Sequence, residues 1–344
     1  MRKYLRHILI LTSFLITVSL LSACGFSYRY RHHYSTNRLD RDDAIQFEIK
    51  KTEVEPITKV DILCRTADVE LIPSDKFFVE IDYLYWDQEP EYSLQNGIFY
   101  FNDSKSLPNN YSINFNLHNI VRIYLPQNSS FQRINIENAS GEVSVAGFIA
   151  EKLDITVSYG DLSIKKAAAI DAEVTLSSGT SKISDFEVGK LDYRNAYGNA
   201  HFTDINTASS VLPEDSTHDQ FQVTMSSGDV KIDGLNCKNI GLSNSFGDIT
   251  CDKITAEDLD LELSSGRAEI NGADILSTDI NNSFGDVDIT MVGEATDYNL
   301  DLDTFSGKIK VDGKSYDNHL RLNNNADRNL TAKINSGDIK VDFE

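Results

Sequence analysis

From Ala44 to the end of the chain, apolar and polar residues alternate in short runs, and the runs keep returning in the same form. Two and four residues after a glycine the chain is apolar, as in Val143 and Val145, Val230 and Ile232, or Ile309 and Val311. Seven, five and three residues before it the alternation appears again, as in Leu153, Ile155 and Val157, or Leu259, Leu261 and Leu263. A period of two in runs rich in β-branched and aromatic residues predicts half-buried strands, not helices. A further apolar position falls seven residues after the glycine (Phe148, Phe186, Ile205, Leu235, Ile254, Val292), where a second turn brings the chain back inward.

The glycines that punctuate this pattern are Gly141, Gly160, Gly179, Gly198, Gly228, Gly247, Gly266, Gly285, Gly307 and Gly337, separated by 19, 19, 19, 30, 19, 19, 19, 22 and 30 residues. A fixed interval of this kind is an internal repeat. One two-stranded unit of 19 residues cannot bury its own apolar face, whereas copies stacked about 4.8 Å apart can. The predicted fold is all-β: a β-solenoid of parallel sheets in about 19-residue coils with aligned glycine turns. Residues 131–344 form the repeats and residues 44–130 a β-rich N-terminal cap.

Strand candidates in the cap are Val60–Leu63, Val69–Ile72, Phe77–Tyr85, Gly97–Phe101 and Ile120–Leu125, and Thr66–Leu71 reads as a degenerate repeat. The cluster around Trp86 is read as cap core rather than a ligand platform. Two intervals exceed the unit by 11 residues, over Asn206–His218 and Ser315–Arg328; insertions in a solenoid are expected to emerge as surface loops suited to recognition.

A second rhythm overlies the first. The residue before the glycine alternates between serine and an aromatic ring: Ser140, Tyr159, Ser178, Tyr197, Ser227, Phe246, Ser265, Phe284, Ser306. Asn195, Asn244 and Asn282 accompany the ring-bearing turns, three residues before the glycine; Tyr159, with Val157, and Asn138, with Ser140, break that rule. Packing of large against small residues at a corner is the favoured account. The functional alternative is a ligand surface made by Tyr159, Tyr197, Phe246 and Phe284.

The N-terminus carries an address. Arg2, Lys3 and Arg6 precede the uncharged run Ile8–Leu21 and then Leu21-Ser22-Ala23-Cys24. This is the layout of a secretory signal over residues 1–23. It resembles the bacterial lipobox, which implies cleavage before Cys24 and acylation of that cysteine, with residues 24–43 as a lipid-anchored linker. Loss of residues 1–23 removes three basic and no acidic residues and takes the net charge from −21 to −24, excluding general nucleic-acid binding. Within the linker, Tyr28-Arg29-Tyr30-Arg31-His32-His33 with Arg38 and Arg41 suits either headgroup phosphates or a solvated tether. The expected location is the extracytoplasmic face of a bacterial cell membrane.

Candidate chemistry is sparse. Asp161, Asp229, Asp248, Asp286 and Asp338 follow turn glycines and invite comparison with calcium-binding β-rolls. The same column holds Glu142, Thr180, Asn199, Arg267 and Lys308, and the second glycine pattern of those rolls is missing. Cys64, Cys237 and Cys251 have no metal-binding spacing, and Cys251 is read as a small core residue. His118, His201, His218 and His319 are dispersed, and no motif for nucleophilic, zinc-dependent or phosphate-cradling catalysis is present. No cofactor and no catalytic set is expected.

The repeated Ser-Gly-Asp-Val-x-Ile and Phe-Gly-Asp-Ile units, following a β-rich segment with a strand ending Leu125-Pro126, resemble the bacterial adhesin-like family also called the toastrack domain. The resemblance covers Ile45–Glu344 and implies a right-handed β-helix-like fold in cell-envelope proteins, without catalytic residues to carry over; some relatives are tied to envelope-stress regulation. The expectation is a non-enzymatic binding or scaffold surface, partnered by the membrane through Cys24 and by an envelope glycan or a membrane protein. The alternatives are an envelope-stress regulator holding a membrane partner and, remotely, a polysaccharide-cleaving β-helix.

Overall fold

The computed structural model describes residues 37–108, 111–113, 117–207 and 219–344. The expected signal peptide and lipid attachment at Cys24, the basic linker run and most of the first insertion lie outside them. Two short strands, Asn37–Leu39 and Tyr111–Ile113, pair as a two-stranded sheet of their own.

Leu39–Pro108 and Ile113–Glu344 make the solenoid with its caps. Equivalent positions of successive coils pair in parallel and in register. Phe221 lies beside Ile240 and Ile240 beside Leu259, while Ala200, Val230, Ile249, Ala268 and Val287 follow one another after the glycine. The 30-residue interval between Gly198 and Gly228 leaves this register intact, since Ala200 still meets Val230. Alternate side chains point inward from both limbs of each coil, and the buried ones form one continuous core that includes the large rings of Phe186, Tyr193, Phe202 and Phe221. Cys251 sits in that core, where burial pushes its thiol up to about 12.

Each coil has two corners. At the glycine corner the backbone takes φ between +121° and +150° from Gly141 through Gly285 and at Gly337. A Cβ on Gly228 would stand 2.1 Å from the carbonyl oxygen of Gly198 in the neighbouring coil, so neither conformation nor space admits a side chain. The second corner lies six residues on. There Gly147, Lys166, Asp185, Asp204, Gly234, Lys253 and Gly272 all adopt left-handed φ of 50° to 78°. Val292, expected inward, is instead partly exposed: the register slips between Ile270 and Ala273, and Met291 takes the inward place beside Ala273.

Stacking order departs from chain order at both ends. Lys59–Cys64 and Asp68–Ser74 lie between the coil of Ile98–Asn102 and Ile120–Pro126 and the first glycine coil. Thr66–Leu71 is therefore a true coil, with the Ala67 carbonyl facing Gly141. At the other end the last strands of the chain, Arg328–Ser336 and Ile339–Phe343, slot between the Gly285 coil and the Gly307 coil. A simple one-after-another stack is thus corrected to an interleaved one.

The outermost coils are covered by antiparallel strands. Glu91–Gln95 turns into Ile98–Asn102 through Asn96-Gly97, and Ile309–Val311 into Lys314–Tyr316 through Asp312-Gly313. All four turn residues have positive φ, as a two-residue hairpin of this hand requires. Phe78–Tyr85 and Ile45–Glu53 extend the first cover, and His319–Leu322 the second. The second insertion is consequently no protruding recognition loop but part of the end cover, because an unpaired solenoid edge would accept a foreign strand.

Candidate binding surface

Four backbone and side-chain columns converge on the glycine corner. Each glycine N–H donates to the carbonyl of the residue before the next glycine, as from Gly228 to Phe246 at 2.9 Å and from Gly247 to Ser265 at 3.1 Å. Those bonds link adjacent coils and fix where the ring and serine side chains leave the backbone.

The aspartates complete the corner. Asp229 Oδ1 accepts the backbone N–H of Asp248 at 3.0 Å, and Asp248 Oδ1 that of Arg267 at 2.8 Å. Asp68, Asp161, Asn199, Asp286 and Asp338 do the same for Glu142, Thr180, Asp229, Asp338 and Lys308. Lys308 belongs to the outermost coil, where no further corner amide follows, so the lack of a carboxylate there costs nothing. These residues are acceptors that hold coils together, and Asn199 serves as well as an aspartate. Among the described residues no group of His, Cys, Asp and Glu is placed to hold a metal ion.

Inside the same corner, Asn195 and Asn244 each donate from Nδ2 to the glycine carbonyl of the preceding coil, Gly179 and Gly228, at 3.1 and 2.8 Å. Asn282 reaches Gly266 at 3.0 Å and accepts the N–H of Phe284. Asn138 obeys the same geometry toward Ala67, and Thr304 Oγ1 substitutes for it toward Gly337. The equivalent sites in the intervening coils are held by Leu176, Met225 and Leu263, which donate nothing, so the asparagine bond is made at every second coil. Sequence spacing showed the asparagines but not their partner, which lies one coil away.

The rings are outside. Tyr159, Tyr197, Phe246 and Phe284 are 69, 54, 63 and 62% exposed. The rings therefore do not fill the interior of the corner. Each lies beside serines of the neighbouring coils, in the order Ser140, Tyr159, Ser178, Tyr197, Ser227, Phe246, Ser265, Phe284, Ser336, Ser306. Phe305, 85% exposed and not foreseen, lies in the coil of Ser306, two coils beyond Phe284. Exposed Asp161, Asp229, Asp248 and Asp286 flank the row on the far side of the glycines. Near Phe305 a depression of about 460 Å³ is lined by polar groups including Asn281, Asp303, Asn318, Lys333 and Asn335.

A family model for the Toastrack domain, DUF4097, matches residues 57–212 and 187–342. This chain belongs to the toastrack family. Among solved structures, toastrack residues align with a lipid-binding candidate from Parabacteroides distasonis ATCC 8503 at 14% identity, over 90% of this chain and 100% of that one, with a TM-score of 0.37. A candidate adhesin from Bacteroides fragilis NCTC 9343 aligns at 12% identity, 89% and 99% coverage and a TM-score of 0.28. For a candidate cell adhesion protein from Clostridium sporogenes ATCC 15579 the values are 10%, 88%, 100% and 0.21. No curated protein matches the chain.

One polar cluster in the toastrack cap escaped the sequence reading. Asp103 is fully buried, accepts the Arg65 N–H with both oxygens at 2.8 Å and takes the Tyr83 hydroxyl at 2.5 Å. Burial raises the carboxyl pKa above its ordinary value, against the lowering effect of Tyr83 and the backbone amides of Arg65 and Thr66. Its place beside the Ala67 corner makes it a structural bracket. Trp86 is half-buried and donates Nε1–H to the Asp40 carbonyl at 2.9 Å, as a cap residue.

Proposed function

We propose that the protein is a lipid-anchored, non-enzymatic presenter of the ring-bearing corner, held at Cys24 on the extracytoplasmic face of a bacterial cell membrane. The observation that carries the binding role is the row of aromatic side chains, each more than half exposed on a rigid, hydrogen-bonded edge. Exposed rings lose the stability that burial would give them, so a straight row of them is a feature of recognition rather than of folding. The anchor reading rests on Leu21-Ser22-Ala23-Cys24 after a short apolar run. Support for a passive role comes from the aspartate column, whose carboxylates are engaged with backbone amides.

Two measurements test this. Metabolic labelling with a palmitate analogue should mark the wild-type chain and not Cys24→Ala, which should leave the membrane fraction; unlabelled wild type overturns the anchor. Retention of the purified protein on native envelope fragments should fall when Tyr197, Phe246 and Phe284 are all replaced by serine. Unchanged retention overturns the binding edge.

A further inference from the structure

The geometry points to a ligand class for that edge. We propose that the ring row seats an extended, uncharged β-1,4-linked glycan lying along the solenoid axis, with one ring beneath every second sugar. The inference rests on the binding role of the edge proposed above.

Period is the first argument. Tyr159, Tyr197, Phe246 and Phe284 occupy alternate coils, which places successive rings about 9.6 Å apart, twice the strand spacing. Phe305 is not part of this column, because it stands two residues before Gly307 and the column's place in that coil is held by Ser306. In an extended β-1,4 chain each sugar is flipped relative to its neighbour, so the same pyranose face recurs every two residues. That recurrence matches two strand spacings closely. A chain laid along the corner therefore offers the same C–H face to each ring, and the serine between two rings meets the opposite face of the flipped sugar.

Polar groups are the second argument. Ser178, Ser227 and Ser265 stand between rings, and the exposed Asp229 and Asp248 use one carboxylate oxygen on a neighbouring amide. The other oxygen is an acceptor of the kind a sugar hydroxyl donates to. Charge is the third. Exposed Asp161, Asp229, Asp248 and Asp286 outnumber Arg267 and Lys308 in the column beside the row, in a chain of net charge −21, a setting that disfavours uronic-acid polymers and anionic headgroups alike. Serines interrupt the rings at every other coil, so the row is a set of separate platforms and no continuous apolar face for a membrane.

The test uses the full chain in detergent, titrated with cellohexaose, chitohexaose, the matching disaccharides and a hexameric polyuronate. A neutral hexamer should bind at least about tenfold more tightly than its disaccharide, because it spans several platforms. Comparing cellohexaose with chitohexaose separates plain hexose from N-acetylated sources. Phe246→Ala should weaken the hexamer about tenfold, a loss of ~1.4 kcal/mol. The decisive variant is Ser227→Phe with Phe246→Ser, which keeps the number of rings and breaks their equal spacing; it should lose affinity like Phe246→Ala. All these side chains lie on the outer corner, and unchanged thermal melting confirms folding. Binding by the swapped variant equal to wild type overturns the proposal, as does equal binding of the polyuronate, or self-association that shields the rings. If no hexamer binds while the triple ring variant still loses envelope retention, the glycan assignment falls and the binding edge stands. If ring variants keep retention, both fall.

Discussion

The two corners of one coil solve the same problem under different constraints. Both reverse the chain, and both require positive φ. At the glycine corner the backbones of adjacent coils approach so closely that a Cβ on Gly160 would lie 2.0 Å from the Gly141 oxygen. Lys166, six residues on, keeps a full side chain at φ 50°. The first corner is limited by backbone contact between coils; the second is limited chiefly by local backbone preference, with Gly147 further crowded by Pro73 of the neighbouring coil. A repeat can therefore spell its glycine faithfully at one corner and freely exchange Gly, Asp and Lys at the other.

Substitutions at the two corners put this contrast to the test. Gly228→Ala should cost about 3–5 kcal/mol in urea unfolding followed by circular dichroism, since the clash is with backbone and cannot be relieved by a rotamer. A loss under 1 kcal/mol would erase the distinction. Next comes Asn244→Ala, which strips the Gly228 carbonyl of its buried donor and should cost about 2 kcal/mol. Asp229→Ala should cost about 1 kcal/mol by leaving the Asp248 amide to water, whereas Asp229→Asn should be neutral, because Asn199 already accepts in this way. Chelator should leave the melting temperature unchanged.

At the second corner the sign reverses. Lys253→Gly should stabilise by about 0.5 kcal/mol, the left-handed strain relieved less the extra freedom of glycine in the unfolded chain. The smallest effect is a slope in the cap. Asp103 has a raised pKa, so the folded state binds its proton more readily than the unfolded state. Its contribution is complete below the ordinary carboxylate range and fades as pH rises through the raised value. Asp103→Asn should flatten that slope of stability against pH, read from unfolding curves between pH 3 and about 7.

The same contrast explains what could be read from the sequence. The glycine column was visible because inter-coil contact forbids every alternative at that position. The left-handed positions at Lys166, Asp185, Asp204 and Lys253 carry no common residue, and only their inward neighbours seven residues after the glycine gave them away. Asn96-Gly97 and Asp312-Gly313 are strong hairpin signals that period-counting passed over, and with them the end covers. The interleaving at Arg328–Phe343 was hidden for a different reason: every coil presents the same alternation, so pattern alone cannot rank one neighbour above another. The rings of the candidate surface were found, but their outward direction was not, since a corner residue escapes the inside–outside rule of a strand.

The interleaved C-terminal strands bear on how such a chain comes into being. As the polypeptide emerges from its N-terminal side, the Gly307 coil and its cover are made before the strands that must lie beneath them. The tip therefore waits, undocked, until residues 328–343 have emerged and wedged themselves into place. Closure of this end of the coil stack is therefore set by strands late in the chain rather than by steady coil-by-coil growth.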